Sequence, residues 1–263
     1  MERVEELVAG AGSPALRGLL HGPPATGTVV HAGREAVYAE LGDGRIDRIV
    51  GVLARGAVHV PCGIATALTV LPEVAVGAPV TAGDGVLRIG PLTVGVGRLV
   101  PFAAPALDPG AAGRLAVVPA DLGPARDQLP ESALTLLADG DPAAVPALVG
   151  RGDGLTPVGD DVLCGWLVAA RAAGRDTGAI ARTVEVHLHR TTGLSATLLR
   201  HAAAGEAIAP FRAVLAAADA AAVGVLLAVG HTSGAGMLLG AHLALFPVSQ
   251  SPSINEALEG STR

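Results

Sequence analysis

Near residue 125 the chain changes its rhythm, and that change limits the fold more than any single motif does. Upstream, short β-type runs alternate with turn residues: "TGTVVHAG", "EAVYAELGDG", "RIVGVL", "GAVHVP", "APVTAGDG", "VLRIG" and "PLTVGVG". "GDGR" after "VYAEL" and "AGDG" after "PVT" supply Gly and Asp, which accept the positive φ of hairpin turns. Strands at such close spacing predict a small barrel or a sandwich. "VPFAAPALDPGAAG" reads as a connector. Downstream, longer Ala- and Leu-rich runs predict helices: "ESALTLLADG", "AAVPALVG", "PVGDDVLCGWLVAARAAG", "DTGAIARTVEVHLHR", "TGLSATLLRHAAAG", "FRAVLAAADAAAVGVLLAVG" and "GMLLGAHLALF". In the third of these, Val158, Val162, Trp166 and Ala170 recur at steps of four, and Gly174 is a natural stop. The expected class is α+β: a β-rich domain over residues 1–125, an all-helical domain over 126–247, and a polar tail over 248–263.

Composition removes several functions. All 18 basic residues are arginine, so neither a phosphate-binding P-loop nor a Schiff-base lysine can be present. The formal charge is −6 and aromatics make up 2%, with no basic cluster, which argues against nucleic-acid binding. Cys62 and Cys164 do not form a disulfide framework, which favours a cytoplasmic setting. "MERVEELVAG" lacks the basic and apolar regions of a signal peptide. "AAAVGVLLAVGHTSGAGMLLGAHLALF" has the length of a membrane span. The polar, Gly-rich break "GHTSGAG" and the absence of cationic flanks favour two buried helices instead, with no membrane partner. No C-x-x-C or H-E-x-x-H pattern marks a metal site.

Three polar stretches interrupt the apolar helical sequence. The first, "GRGDGLTPVGDD", runs from Gly150 to Asp161. Gly152 and Gly154 let the backbone turn and approach a ligand, and Thr156–Pro157 is a good cap and first-turn pair for a helix. Asp160 and Asp161 fall in the first turn of that helix. Three roles are open to them: capping charges, ligands of a bridging Mg²⁺, or acceptors for the NH₂ of an amide or carbamoyl group. The second stretch, "HLHRTTGLS", carries Arg190, Thr191 and Ser195, a set suited to phosphate or carboxylate and equally to a helix end with Thr191 or Thr192 as the next cap. His187 and His189 are two apart and do not share a helix face. The third, "GHTSGAG", presents His231, Thr232, Ser233 and Gly234 between two apolar helices. His231 beside Ser233 suggests a base and a nucleophile, but no G-x-S-x-G elbow surrounds them.

Taken together, "GRGDGLTPVGDDVLCG", "RTTGLSATLLRHAAAGE" and "VGHTSGAGMLLG" resemble a bacterial domain-of-unknown-function family that includes the AllH-type subunit of oxamate carbamoyltransferase. The resemblance spans about residues 145–245. It implies a subunit of a catabolic carbamoyltransferase working beside unlike subunits. The substrates would be carbamoyl phosphate and oxamate or a related small acceptor, with no required cofactor. On that reading Asp160, Asp161, His231 and Ser233 are the catalytic candidates. Gly152, Gly154, Thr156, Arg190, Thr191, Ser195, Thr232 and Gly234 are the substrate-binding candidates. A non-catalytic structural subunit and a Mg²⁺-dependent enzyme on a small phosphorylated metabolite are the alternatives. One departure from the family pattern is Gly236, where an Asp is usual after "SG-x". The three stretches are expected to converge on one pocket, because polar breaks in apolar helices are costly unless paired or used.

Overall fold

Alternation along the N-terminal strands divides their side chains between two cores. In the computed structural model, which describes residues 7–42, 48–108 and 110–246, Val37, Ala39 and Leu41 of one strand point into a barrel. Between them Tyr38 points outward, against helices. On the neighbouring strand Val50 and Val52 face in, while Ile49 and Leu53 face out. A period of two places successive side chains on opposite faces, so both faces of this part of the sheet are buried.

The strands are β1 (Leu7–Gly12), β2 (Ala25–Ala32), β3 (Ala36–Leu41), β4 (Arg48–Leu53), β5 (Gly63–Ala65), β6 (Pro79–Gly83), β7 (Val86–Ile89) and β8 (Leu92–Leu99). They close in the order β1-β5-β4-β3-β2-β6-β7-β8, and parallel pairing of β8 with β1 completes the ring. Closure leaves no open sheet edge. Of the two architectures the sequence suggests, the barrel is the one formed. The β6–β7 hairpin turns at Asp84 and Gly85, with φ of 54° and 79°, as "AGDG" predicts. "GDGR" lies mostly outside the described residues, although β3 and β4 pair antiparallel on either side of it.

"GAVHVP" is a loop, not a strand. β1, the short β5 and helix α1 (Pro14–Leu20) carry no signal strong enough to predict them. Ser13 caps α1 by accepting from Leu16 N at 3.1 Å, and Leu16 and Leu20 join the barrel core.

The helical region comprises α2 (Ala111–Ala116), α3 (Gly123–Arg126), α4 (Glu131–Asp139), α5 (Val145–Leu148), α6 (Val158–Ala172), α7 (Gly178–His187), α8 (Gly193–Ala203), α9 (Ala209–Ala217), α10 (Ala220–Leu227) and α11 (Ser233–Leu245). Val158, Val162, Trp166 and Ala170 of α6 are all buried, as their spacing requires. α6 and α11 lie against each other so closely that a Cβ on Gly165 would come within 2.0 Å of Met237 O, and one on Gly240 within 2.0 Å of Val162 O. α8 lies on the barrel, with Gly193 against the Ile49 side chain and Thr197 Oγ1 accepting from Ile49 N at 3.4 Å.

The run "FRAVLAAADAAAVGVLLAVG" is two helices and not the single one its composition suggests. Ala218 ends α9 in the left-handed conformation, at φ 50°. Asp219 then caps α10 by accepting from Ala222 N at 2.8 Å. An Asp within an alanine run offers the backbone a cap, and that interaction wins over continuing the helix. α10 and α11 are separate, and no helix among the described residues is long and apolar enough to cross a membrane. The polar tail lies outside the described residues.

Candidate functional site

The three polar stretches meet at the N-terminal turn of α6. Gly150 turns the chain into this turn at φ 71°, and a Cβ there would sit 2.2 Å from Arg190 O, so only glycine allows "GRGDG" to lie against "RTTGLS". Its N–H donates to Asp160 Oδ1 at 2.8 Å. Asp160 Oδ2 accepts from Ser195 Oγ at 2.7 Å and from Thr191 Oγ1 in a short contact. Asp160 is fully buried, and its carboxylate ties three chain segments together. Burial raises its pKa, against the three donors, which favour the charged form. Three protein donors thus occupy its carboxylate, one on Oδ1 and two on Oδ2. Among the described residues no group of three His, Cys, Asp or Glu side chains could hold a metal.

Asp161, one residue on, points elsewhere. It is 2% exposed, its Oδ2 is buried without a hydrogen-bond partner, and it lines a cavity of about 440 Å³ between the barrel and the helices. Ser233 at the start of α11 bonds its carboxyl and lies 3.1 Å from Thr156 Oγ1, so the first and third stretches are joined here. Burial, eased by Ser233 and reinforced by the negative charge of Asp160, pushes the Asp161 pKa up to about 8. At neutral pH this is a carboxylic acid, able to donate one hydrogen bond and accept another. Cys164, one turn along α6, also lines the cavity, and burial and the two aspartates raise its thiol pKa well above the ordinary value. It is a poor nucleophile.

Several sequence candidates have other positions. Thr156 is not the helix cap; Pro157 occupies that position, and the Thr156 hydroxyl pairs with Ser233 instead. Thr192, not Thr191, caps α8 by accepting from Ser195 N at 3.0 Å. Arg190 is exposed and donates to Pro146 O at 2.7 Å, away from the cavity. Gly152, Gly154 and His231 are exposed and do not line the cavity. Thr232 occupies the cap position of α11, where its carbonyl accepts from Gly236 N at 2.8 Å. Gly234 lets α11 approach α10, since a Cβ would meet Leu226 O at 1.9 Å. Gly236 faces Asp161, and a Cβ there would lie 2.9 Å from Asp161 Cβ. This spacing has no room for the Asp that the family pattern carries. The His187 and His189 rings stack with centroids 6.5 Å apart, because α7 tightens into a 3-10 turn at Leu188–Arg190. A plain helix would have separated them.

None of the site candidates visible in the sequence lies in the barrel. Tyr38, Leu53 and Val60 nevertheless form one wall of the cavity, and His31 and Glu35 also line it. Burial raises the Tyr38 pKa, so its phenol stays protonated. The alternation of "EAVYAEL" carried a usable signal: Tyr38 is the one aromatic on the face opposite Val37 and Ala39.

Fold and site together define an α+β protein with a predominantly apolar cavity between a closed barrel and a helical region, and one carboxyl group buried in the cavity wall. Residues 148–245 match the model of the family described as oxamate carbamoyltransferase subunit AllH. No solved structure matches the chain.

Proposed function

We propose that this chain is a subunit of an oxamate-carbamoyltransferase-type enzyme and that Asp161 holds the carbamoyl or amide head of a substrate. The family match supports the first part. The observation that carries the second is the unpartnered Asp161 Oδ2 in the cavity wall. A buried polar atom without a partner is costly, and a ligand that pairs it recovers that cost. A neutral carboxylic acid and a carbamoyl group are complementary: the acid O–H donates to the carbonyl, and its other oxygen accepts from the NH₂. Such a donor also stabilises negative charge that develops on the carbonyl oxygen during transfer. Ser233 orients the carboxyl, and Thr156 orients Ser233. Unlike subunits complete the enzyme, and the free state of Cys62 and Cys164 supports a cytoplasmic setting.

A second reading, a purely structural subunit, is favoured by the Asp160 network and by the positions of Arg190 and His231 outside the cavity. The two separate on Asp161→Asn, tested with the partner subunits present. Carbamoyl transfer is expected to fall by roughly 100-fold with no drop in the thermal midpoint, as for a lost transition-state contact. Full activity in that variant would leave only the structural reading.

A further inference from the structure

The cavity wall argues for a particular kind of ligand. The chain has no lysine, and among the described residues that line the cavity none is arginine. Most of the lining is aliphatic or aromatic: Leu53 and Val60 from the barrel side, Val168, Leu194, Leu198 and Phe211 from the helices. An anion placed here would lose its water and gain no cation. Its nearest polar neighbours would be Asp161, Ser233 and Thr156, which offer hydroxyls and one carboxyl. The volume, about 440 Å³, lies in the range of pockets for organic ligands, roughly 300–1,000 Å³, and a small oxoacid would leave much of it empty. Glu35 is exposed and His31 half-buried where they line the cavity, so this end is the wetter one, while Asp161 is sealed.

We infer that the cavity binds an uncharged primary amide or ureide with an apolar body, its head on Asp161 and Ser233 and its body along the barrel wall. The proposal rests on the assignment of Asp161 as the head-group site and names the ligand class that site accepts. The uncharged acceptor would then be the reactant that this chain holds, and the phosphorylated donor would be held by the partner subunits. The barrel wall, which lies outside the matched residues 148–245, would set the size and shape of the ligand's body.

The test uses the full chain and n-hexanamide as probe, with hexanoate, oxamate and inorganic phosphate alongside, in calorimetry and thermal unfolding. Hexanamide is expected to bind at least tenfold more tightly than hexanoate, with no midpoint shift from oxamate or phosphate at equal concentration. Leu198→Trp, which fills the cavity, should abolish hexanamide binding. If that variant does not fold, the ring resonances of Tyr38 decide in the unaltered chain, because the single tyrosine of the chain lines the cavity and bound hexanamide should shift them. The proposal is overturned if oxamate or phosphate binds as tightly as hexanamide, or if hexanamide shifts neither the midpoint nor the Tyr38 resonances. Hexanamide binding together with full carbamoyl transfer by the Asp161→Asn assembly would keep this proposal and discard the catalytic reading.

Discussion

The network around Asp160 and the cavity around Asp161 are adjacent, yet they are built on opposite principles. In the network every carboxylate oxygen has a donor, and the donors come from the Gly150 turn, Thr191 and Ser195. In the cavity one carboxyl oxygen has no partner, and the surroundings are mostly apolar. A fully satisfied buried charge fixes how segments meet, whereas an unsatisfied one is a liability unless something binds it. Neighbouring residues on a helix point about 100° apart, so a single turn of α6 serves both regions.

The comparison predicts a graded set of effects. Asp160→Ala should be the most damaging to folding, because it strands three buried or half-buried donors at once. The expected loss is about 3–5 kcal/mol in denaturant unfolding. A loss under about 1 kcal/mol would mean that the network does not hold the segments together.

Asp161→Asn should act oppositely on stability. The folded protein keeps a proton on Asp161 up to about pH 8, whereas the unfolded chain releases it above about 4. The folded state therefore binds more protons in this window, and stability falls as pH rises through it, by up to about tenfold in the folding constant per unit. Above pH 8 the loss levels off. The Asn variant lacks this contribution, so parent and variant should diverge with rising pH, with the variant relatively more stable at pH 8 than at pH 5. Parallel stability curves from pH 4 to 8 would show that Asp161 ionises freely and that the cavity is wetter than its lining indicates. Asp160 is shifted in the same direction but is common to both proteins, so the difference between them isolates Asp161.

The serines should give smaller effects. Ser195→Ala removes a donor from a buried carboxylate and is expected to cost about 2 kcal/mol. Ser233→Ala should cost about 1 kcal/mol or less, because Asp161 is already incompletely paired, and should chiefly weaken hexanamide binding. Equal losses from the two serines would erase the distinction between network and cavity.

Much of the helical architecture was legible because helix signals are local. The steps of four from Val158 to Ala170 fixed the buried face of α6, and Gly174 marked a stop that the backbone uses at φ 74°. The turn at Asp84–Gly85 was legible for the same reason. The break at Asp219 was also encoded locally, but the alanines around it concealed it. β1 and β5 were hidden because a short strand gains its stability from partners far along the chain: Leu7 pairs with Thr93, and Gly51 with Gly63.

By itself, then, the sequence determined where helices and turns fall, which faces are apolar, and that three polar stretches interrupt the helical region. It could not decide which of two adjacent aspartates would be paired and which left facing a cavity. That choice depends on what packs against each side of α6: Gly150, Thr191 and Ser195 around Asp160, and Ser233, Gly236 and the cavity around Asp161. Nor could it show that Tyr38, more than a hundred residues upstream, would share a wall with Asp161. Spacing sets the direction of a side chain within its own element, but only long-range packing sets what it meets there, and for a buried carboxyl that neighbour decides its charge and its role.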